Sequence, residues 1–519
     1  MKLSIFYRAI LDKVKGKNAA SVCVDKKSVD EKNVRELRGR QMQLVLIVGA
    51  LLSIFVFLSN VFLIMPLGKT VIIFLGFLLF IVFLLFPGSK TSSKDSFSIL
   101  DLLLSFTGVL CSAYAMMRFS VYFSGKILTP TMWDYLFSVL TIFLLIEATR
   151  RIYGLIIPII VVFSLVYLLF GPYFPGFFSH GGFSLKRVLL RMFMTDVGIF
   201  GLLIHVAFNF ILLFMLFGEL LNVSGGSYFF NDLAQCLVGG RRGGAAQVSV
   251  VSSGIMGTMS GCAIANVTTT GTFTIPLMKK IGYSPAFAAG VEAAASSGGM
   301  LMPPIMGTGA LLMSGLLSIP YKYIIIAAFI PALLYYFSIF MAVDFRARKA
   351  GLKGADKSSL PKITNVFKER GHLIIPIFLL ILLLMSGYSP SFAAVLSLIA
   401  ITLVSSLKAN TRMTIKIFFN AIAKGALSAI PICIVCTVIG IVVETISMTG
   451  VGAVIGASIL QLGQGNSFLT AFLVMLVTLI ASLGLPAGAC YIIVDLYSSP
   501  IFNWSRCQSF SSSFFCFLV

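Results

Sequence analysis

Apolar runs of 17 to 25 residues recur along the 519-residue chain, and this feature restricts what it can fold into more than any other. A helix needs about 20 consecutive apolar residues to cross about 30 Å of hydrocarbon. Inside that hydrocarbon every backbone N–H and C=O must find a partner within the protein, so segments of this kind span as helices. Hydrophobic residues make up 58% of the chain and charged residues only 11%, against roughly a quarter charged in a soluble domain. Such a composition cannot cover itself with a watery surface. A soluble enzyme, a nucleic-acid binder and a disordered chain are therefore excluded. The fold class is an all-α polytopic membrane protein.

The formal net charge of +21 would point to nucleic acid in a soluble protein. Here the Lys and Arg residues sit in short connections between apolar runs, where they set orientation by the positive-inside rule. Residues 1–43 carry 11 Lys/Arg and 5 Asp/Glu ahead of the first apolar run. That stretch is too long and too charged for a cleavable signal, and it reads as a cytoplasmic N-terminal tail. Nine Cys are scattered through the apolar runs; Cys433 and Cys436 form a CxxC with no second Cys/His pair, which assigns them to packing.

Spans are expected at about 44–65, 70–87, 98–117, 134–149 and 153–175. Lys90, Lys94, Arg150 and Arg151 mark cytoplasmic ends. The stretch 176–198 differs, because Lys186, Arg187 and Arg191 alternate with Val188, Leu189, Leu190 and Met192. It reads as an amphipathic helix lying along the interface, with its strongest pattern over 181–197. Further spans follow at 199–221, 285–317, 321–343, 372–387, 391–407 and 417–446. Between them lies a loop, 344–371, whose residues 344–370 hold 8 Lys/Arg against 3 Asp/Glu, again cytoplasmic.

Two basic pairs, Arg241–Arg242 and Lys279–Lys280, bracket residues 243–278. If both lie in the cytoplasm, the 36 residues between them cross an even number of times, yet two full spans with a turn fit poorly. The middle is dense in small and hydroxylic residues, from Ser260 and Gly261 through Asn266 to Thr268, Thr269 and Thr270. These suit a re-entrant helical hairpin, because non-helical backbone at membrane depth is tolerated only where protein or a wet cavity meets it. The alternative is small residues for tight helix packing.

An internal repeat points the same way. Residues 219–225 read ELLNVSG and residues 444–450 read ETISMTG, an offset of 225. The same offset sets Gly261 against Pro486, within Gly484-Leu485-Pro486-Ala487-Gly488, a second Gly/Pro break inside the apolar stretch 468–495. Loop charges orient the two halves oppositely. Inverted repeats with broken helices in matching places mark a secondary transporter, with substrate and ion sites near the midplane at the breaks. The first repeat covers 199–343 and the second 372–497.

After its hairpin the first repeat continues through Ser296, Ser297, Gly298 and Gly299 to Pro303-Pro304. Paired prolines in mid-span free backbone carbonyls, because proline donates no N–H. Carbonyl and hydroxyl oxygens are hard ligands suited to Na⁺. The second half reaches no equivalent proline pair, and residues 498–519 turn to Ser/Phe monotony. That tail is expected to be an aberrant or truncated end, which leaves the second repeat incomplete.

The runs VSSGIMGTMSGCAIANVTTTGTFTIPLMKKIGY and VEAAASSGGMLMPPIMGTGALLM closely resemble the large membrane subunit of tripartite ATP-independent periplasmic (TRAP) transporters. The later GLPAGACYIIV resembles the second-hairpin motif, with Ala487 where Thr is usual. Residues 44–175 resemble the small four-helix subunit fused in front, as in the fused permeases. The resemblance covers roughly 44–497. It implies an inverted-repeat, elevator-type importer in the bacterial inner membrane. It also implies a Na⁺ gradient as driving force, with no other cofactor, a periplasmic solute-binding protein as partner, and small organic carboxylates, dicarboxylates among them, as solutes.

The candidate substrate-binding residues are Ser260, Gly261, Asn266, Thr268, Thr269 and Thr270 at the first hairpin tip, with Gly484, Pro486 and Gly488 at the second. The candidate cation ligands are Ser296, Ser297, Gly298, Gly299 and Pro303. Neither hairpin holds Arg or Lys, so helix N-termini and hydroxyls are expected to receive a carboxylate solute. Glu219 and Glu444 lie near span ends and read as structural or gating groups, while Glu292 lies deeper and is expected to face the hairpin. A stand-alone anion carrier and a non-transporting remnant are the rival readings. An intramembrane enzyme would need clustered catalytic groups, and His180, His205 and His372 are dispersed.

Overall fold

The structure, a computed structural model, describes residues 35–482 and residue 491, apart from 36, 38, 63–64, 89–95, 123–129, 318, 353, 355–359 and 464–465. The expectations for Gly484, Pro486, Gly488 and the 498–519 tail lie outside the described residues. So does most of the 1–43 tail.

All regular elements among the described residues are helical. Among the described residues, seven helices are long and apolar enough to cross a bilayer. The front of the chain forms α1 (Arg40–Phe62), α2 (Leu67–Leu85), α3 (Ile99–Tyr122), α4 (Met132–Tyr153) and the short α5 (Ile156–Leu169). On α3 the side chains of Ile99, Leu103, Phe106 and Leu110 are more than half exposed. They recur every three or four residues, an apolar stripe facing outward. Its opposite face buries Ser105 and Ser112. Exposed apolar stripes with polar groups inside are what a lipid solvent selects.

The C-terminal end of α2 is held by three arginines. Arg35 donates to the carbonyl of Leu84 (3.1 Å), Arg151 to Phe86 (3.0 Å) and Arg150 to Gly88 (2.7 Å). Asp101 is buried between Arg35 and Arg151, and Glu147 pairs with Arg150 and Arg151. Cations beside the last carbonyls of a helix satisfy orphan acceptors and its negative dipole end.

The amphipathic stretch forms α6 (Leu185–Phe193), shorter than its sequence pattern. Ser184 caps it, Val188, Leu189 and Met192 are buried, and Lys186 and Arg187 face outward. Then α7 starts as Leu202–Val206, passes through a π-helical turn at Ala207–Ile211 and continues as Leu212–Val223. Helix α8 (Gly226–Val238) is not announced by any long apolar run.

The hairpin comprises α9 (Gly244–Ser260) and α10 (Ala263–Ile281). The expected single span 285–317 is instead a broken helix. It runs as α11 (Pro285–Ser297), a 3₁₀ turn over Gly298–Met300, a non-helical stretch and α12 (Thr308–Leu317). The proline pair sits in the gap, where its missing N–H groups cannot continue the ladder. Next come α13 (Tyr321–Lys349), α14 (Ile363–Arg370), α15 (Ile374–Met385) and α16 (Pro390–Ser405). The longest helix, α17 (Ile415–Thr449), is followed by α18 (Val451–Gly463) and α19 (Ser467–Ser482).

The repeat offset reappears in the elements. Gly225 and Gly450 both adopt positive φ, 95° and 68°. Each is followed at once by a helix of 13 residues, α8 and α18.

Helix α17 is the column of the main core. Its Ile422 carbonyl accepts from Ser53 Oγ at 2.8 Å, Gly425 faces Leu216, and Gly440 lies against the Gly198 backbone. Cys433 and Cys436 are buried free thiols within it, in keeping with a packing role.

Candidate functional site

The hairpin folds back on itself. Its two ends meet: Tyr283, just past α10, donates its hydroxyl to the Gly243 carbonyl at 3.4 Å, ahead of α9. At the tip, Gly261 turns the chain with φ +56°. A Cβ there would lie 1.9 Å from the Met306 carbonyl oxygen, so only glycine fits. The Ile305 N–H donates to the Thr258 carbonyl at 3.3 Å. The tip of the hairpin is thus bonded to the gap in the broken helix.

Along the seam the backbones nearly touch. A Cβ on Gly257 would stand 2.3 Å from the Gly299 Cα. Small residues permit this approach, and hydroxyls then act as interhelical glue.

The glue converges on Glu292. Its carboxylate is fully buried, and no basic group pairs with it among the described residues. Five hydroxyls donate to it: Ser249 (2.6 Å), Ser253 (3.1 Å), Thr270, Thr274 (2.5 Å) and Ser296 (3.3 Å). They come from α9, α10 and Glu292's own α11. A bond to a charged acceptor contributes about 1.5–3 kcal/mol, and several such bonds offset the desolvation of a lone carboxylate. Glu292 does face the hairpin.

Asn266 lies beside this cage. Its Nδ2 donates to the Ser253 carbonyl at 2.8 Å, and its Oδ1 is buried with no partner among the described residues. The same Nδ2 would be 3.1 Å from a Cβ on Gly299, so Asn266 stands where hairpin and gap meet.

The expected site residues therefore divide. Asn266, Thr270, Ser296 and Gly299 come together at the seam. Gly261 forms the tip, and Ser260 is the last residue of α9. Thr268 and Thr269 bond the Ala265 carbonyl, with Thr268 exposed. Ser297 is exposed and bonds the Ala293 carbonyl. Gly298 packs against Tyr335, and Pro303 is buried in the gap.

Tyrosines bond carbonyls on both sides of the break. Tyr321 Oη donates to Pro304 (3.1 Å) and Ile305 (2.6 Å) in the gap, and Tyr335 and Tyr336 donate to Ala294 and Ala295 in the last turn of α11, each at 2.8 Å.

Sequence reasoning did not single out Ser249, Ser253, Thr274 or Gly257. The signal was present, because Ser249/Ser253, Asn266/Thr270/Thr274 and Glu292/Ser296 each recur at i, i+4. That spacing puts each set on one helix face.

Away from the hairpin, Glu444 is held by Arg191 of α6 at 2.7 Å, a structural tie between α6 and α17. The histidines stay apart. His180 bonds the Tyr167 carbonyl, His372 bonds Thr411, and His205 Nδ1 is buried without a partner among the described residues.

Residues 140–518 match the family model described as the tripartite ATP-independent periplasmic transporter, DctM component. The chain belongs to that family. Its relatives are permeases rather than enzymes. It is 28% identical over 211 residues to the sialic acid TRAP transporter permease SiaT of Haemophilus influenzae, covering 40% of this chain and 33% of that protein. The uncharacterized protein YgiK of Salmonella typhimurium is 27% identical over 258 residues, 47% of this chain and 58% of its own length. The C4-dicarboxylate TRAP transporter large permease DctM of Pseudomonas aeruginosa is 30% identical over 121 residues, 23% of this chain and 27% of its own. The chain thus spans from about a quarter to somewhat over half of these relatives' lengths.

Proposed function

We propose that this chain is the membrane subunit of a Na⁺-driven importer of small organic carboxylates, delivered by a periplasmic solute-binding protein. The carrying observation is the tip of one hairpin bonded to the gap of a broken helix, with a buried oxygen, Asn266 Oδ1, that has no partner among the described residues at their junction. An orphan oxygen at membrane depth is costly unless something occupies it, and a hard cation suits it. Asn266 Oδ1, the Ser296 hydroxyl and the backbone oxygens of Gly298 and Gly299 would hold it, with Ser297 and Pro303 shaping the turn. When bound, the cation supplies a positive charge between hairpin and gap. The chain itself fixes the seam through the Glu292 cage.

Ser260, Gly261, Thr268, Thr269 and Thr270 would meet the solute from the hairpin, opposite Gly484, Pro486 and Gly488. Sialic acid and C4-dicarboxylates, named for two relatives, are both carboxylates. Residues 44–175 would be the small four-helix subunit fused in front, with α1 to α3 of it ahead of the family match. The three arginines at the end of α2 favour an orientation with that end, and the N-terminus, in the cytoplasm of an inner-membrane protein. Opposed repeats sharing the Gly225/Gly450 offset favour an elevator motion.

Reconstitution in liposomes with an inward Na⁺ gradient and labelled carboxylates tests the reading. Uptake is expected only with Na⁺ and a binding protein, and Asn266→Ala is expected to raise the Na⁺ concentration required. Uptake indifferent to Na⁺ would remove the cation from the scheme. Uptake without a binding protein would favour a stand-alone carrier.

A further inference from the structure

A cleft of about 830 Å³ opens among α1, α2 and α3, in the part of the chain ahead of the family match. Its walls are apolar, with Leu51, Ile73, Phe77 and Val109 among them, and its lining includes two polar groups, Lys69 and Ser112. From Lys69 to Phe80 the cleft follows α2 for about 16 Å at 1.5 Å per residue. That is about half the hydrocarbon thickness, the depth of one leaflet.

The charge at its mouth is unmatched. Among the described residues, two cations stand at this end of the front helices. Arg118 is neutralised by Asp134 at 3.0 Å. Lys69 has no acidic partner among the described residues, and its Nζ lies 5.5 Å from the Phe119 ring centroid. It sits in the first turn of α2, where the Lys69 and Thr70 N–H groups bond the Pro66 carbonyl and Pro66 offers no side-chain cap to those of Leu67 and Gly68. A cation and a helix N-terminus together favour an anion. The Arg35/Arg150/Arg151 cluster occupies the far end of α2, so Lys69 marks the membrane face opposite the main basic cluster. The positive-inside rule leaves few lysines there.

A second polar group in the cleft also lacks a partner. Ser112 is 6% exposed, and its Oγ makes no hydrogen bond among the described residues. It faces Gly76, where a Cβ would stand 3.1 Å from that oxygen.

We infer that this cleft holds one phospholipid. Its phosphate lies at Lys69 and the start of α2, and an acyl chain runs down the groove past Ser112 toward Phe80. The inference is independent of the transport reading. It distinguishes a lipid held in a site from lipids that merely surround the protein.

The test is native mass spectrometry of the full chain released from nanodiscs containing phosphatidylglycerol. The wild type is expected to retain one phospholipid. Lys69→Glu is expected to reduce the retained fraction about tenfold, from loss of a charge-assisted contact, while Lys69→Arg keeps it. Val109→Trp, which fills the cleft, is expected to abolish retention, with gel filtration checking the fold. If Val109→Trp aggregates, the two Lys69 variants decide. Equal retention by Lys69→Glu and the wild type overturns the inference. So does displacement of the adduct by inorganic phosphate, which would make the site a phosphate site rather than a lipid site.

Discussion

The core around α17 and the seam around Glu292 lie in one chain and are packed by opposite means. In the first, large side chains fill space. Phe74, Phe193, Phe200, Phe208 and Phe217 are all essentially fully buried, and Phe74 and Phe208 meet edge to face at 5.4 Å between centroids. In the second, the apolar cluster is made mostly of smaller residues, with Ala245, Ala246, Ala288 and Ala295 beside Val250 and Val291. Side-chain volume is withdrawn there so that backbones can touch, and polar atoms take over the cohesion. Dispersion holds the first region in any orientation that keeps it full. Hydrogen bonds hold the second only at one register, because a hydroxyl displaced by an ångström has lost its acceptor.

That contrast can be broken most forcefully in the main core. Phe208→Ala should cost about 3–5 kcal/mol of stability through the cavity it leaves, seen as a lowered thermal midpoint in detergent. Transport per folded molecule should persist. A variant that melts like the wild type would mean the aromatic packing is not what holds that region.

At the seam the sign of the change reverses. Gly257→Val adds volume where the Gly299 backbone stands, and should cost about 1–3 kcal/mol by overpacking. Its uptake should fall far more than its thermal midpoint does. A fall in both to the same degree would make the seam ordinary packing.

The smallest effect sharpens the comparison. Thr268→Ala removes an exposed hydroxyl and should shift stability by less than about 0.5 kcal/mol. If its Michaelis constant for solute rises while the melting point stays, Thr268 touches solute. An unchanged constant would remove it from the solute contacts.

The hairpin was legible because its signals are chemical and local: two basic pairs and a run of Ser, Gly and Thr that no ordinary span needs. The Glu292 cage was half legible. Glu292 stood out as a lone acid, but Ser249 and Ser253 sit in a run that also reads as plain helix, and only the fold brings α9 over α11. The break at Gly298–Gly307 was announced by its prolines, yet apolar residues on both sides made 285–317 look like one span. Helices α8 and α18 were missed because each has 13 residues, too few for a crossing, and because a seven-letter repeat carries no information about the residues beyond it. Nor does the sequence tell that tyrosines bond the carbonyls at the end of α11, since Tyr335 and Tyr336 approach from α13, far downstream of Ala294 and Ala295.

The closure at the base of the hairpin has a mechanical consequence. A Cβ on Gly243 would meet both the Tyr283 hydroxyl and the Ala347 methyl, so α9, α10 and the end of α13 share a single footing. Two legs planted on one foot cannot stride separately. Whatever displacement the hairpin undergoes must be handed on whole to α13, and a covalent bridge between positions 243 and 347 would tether parts that already travel together.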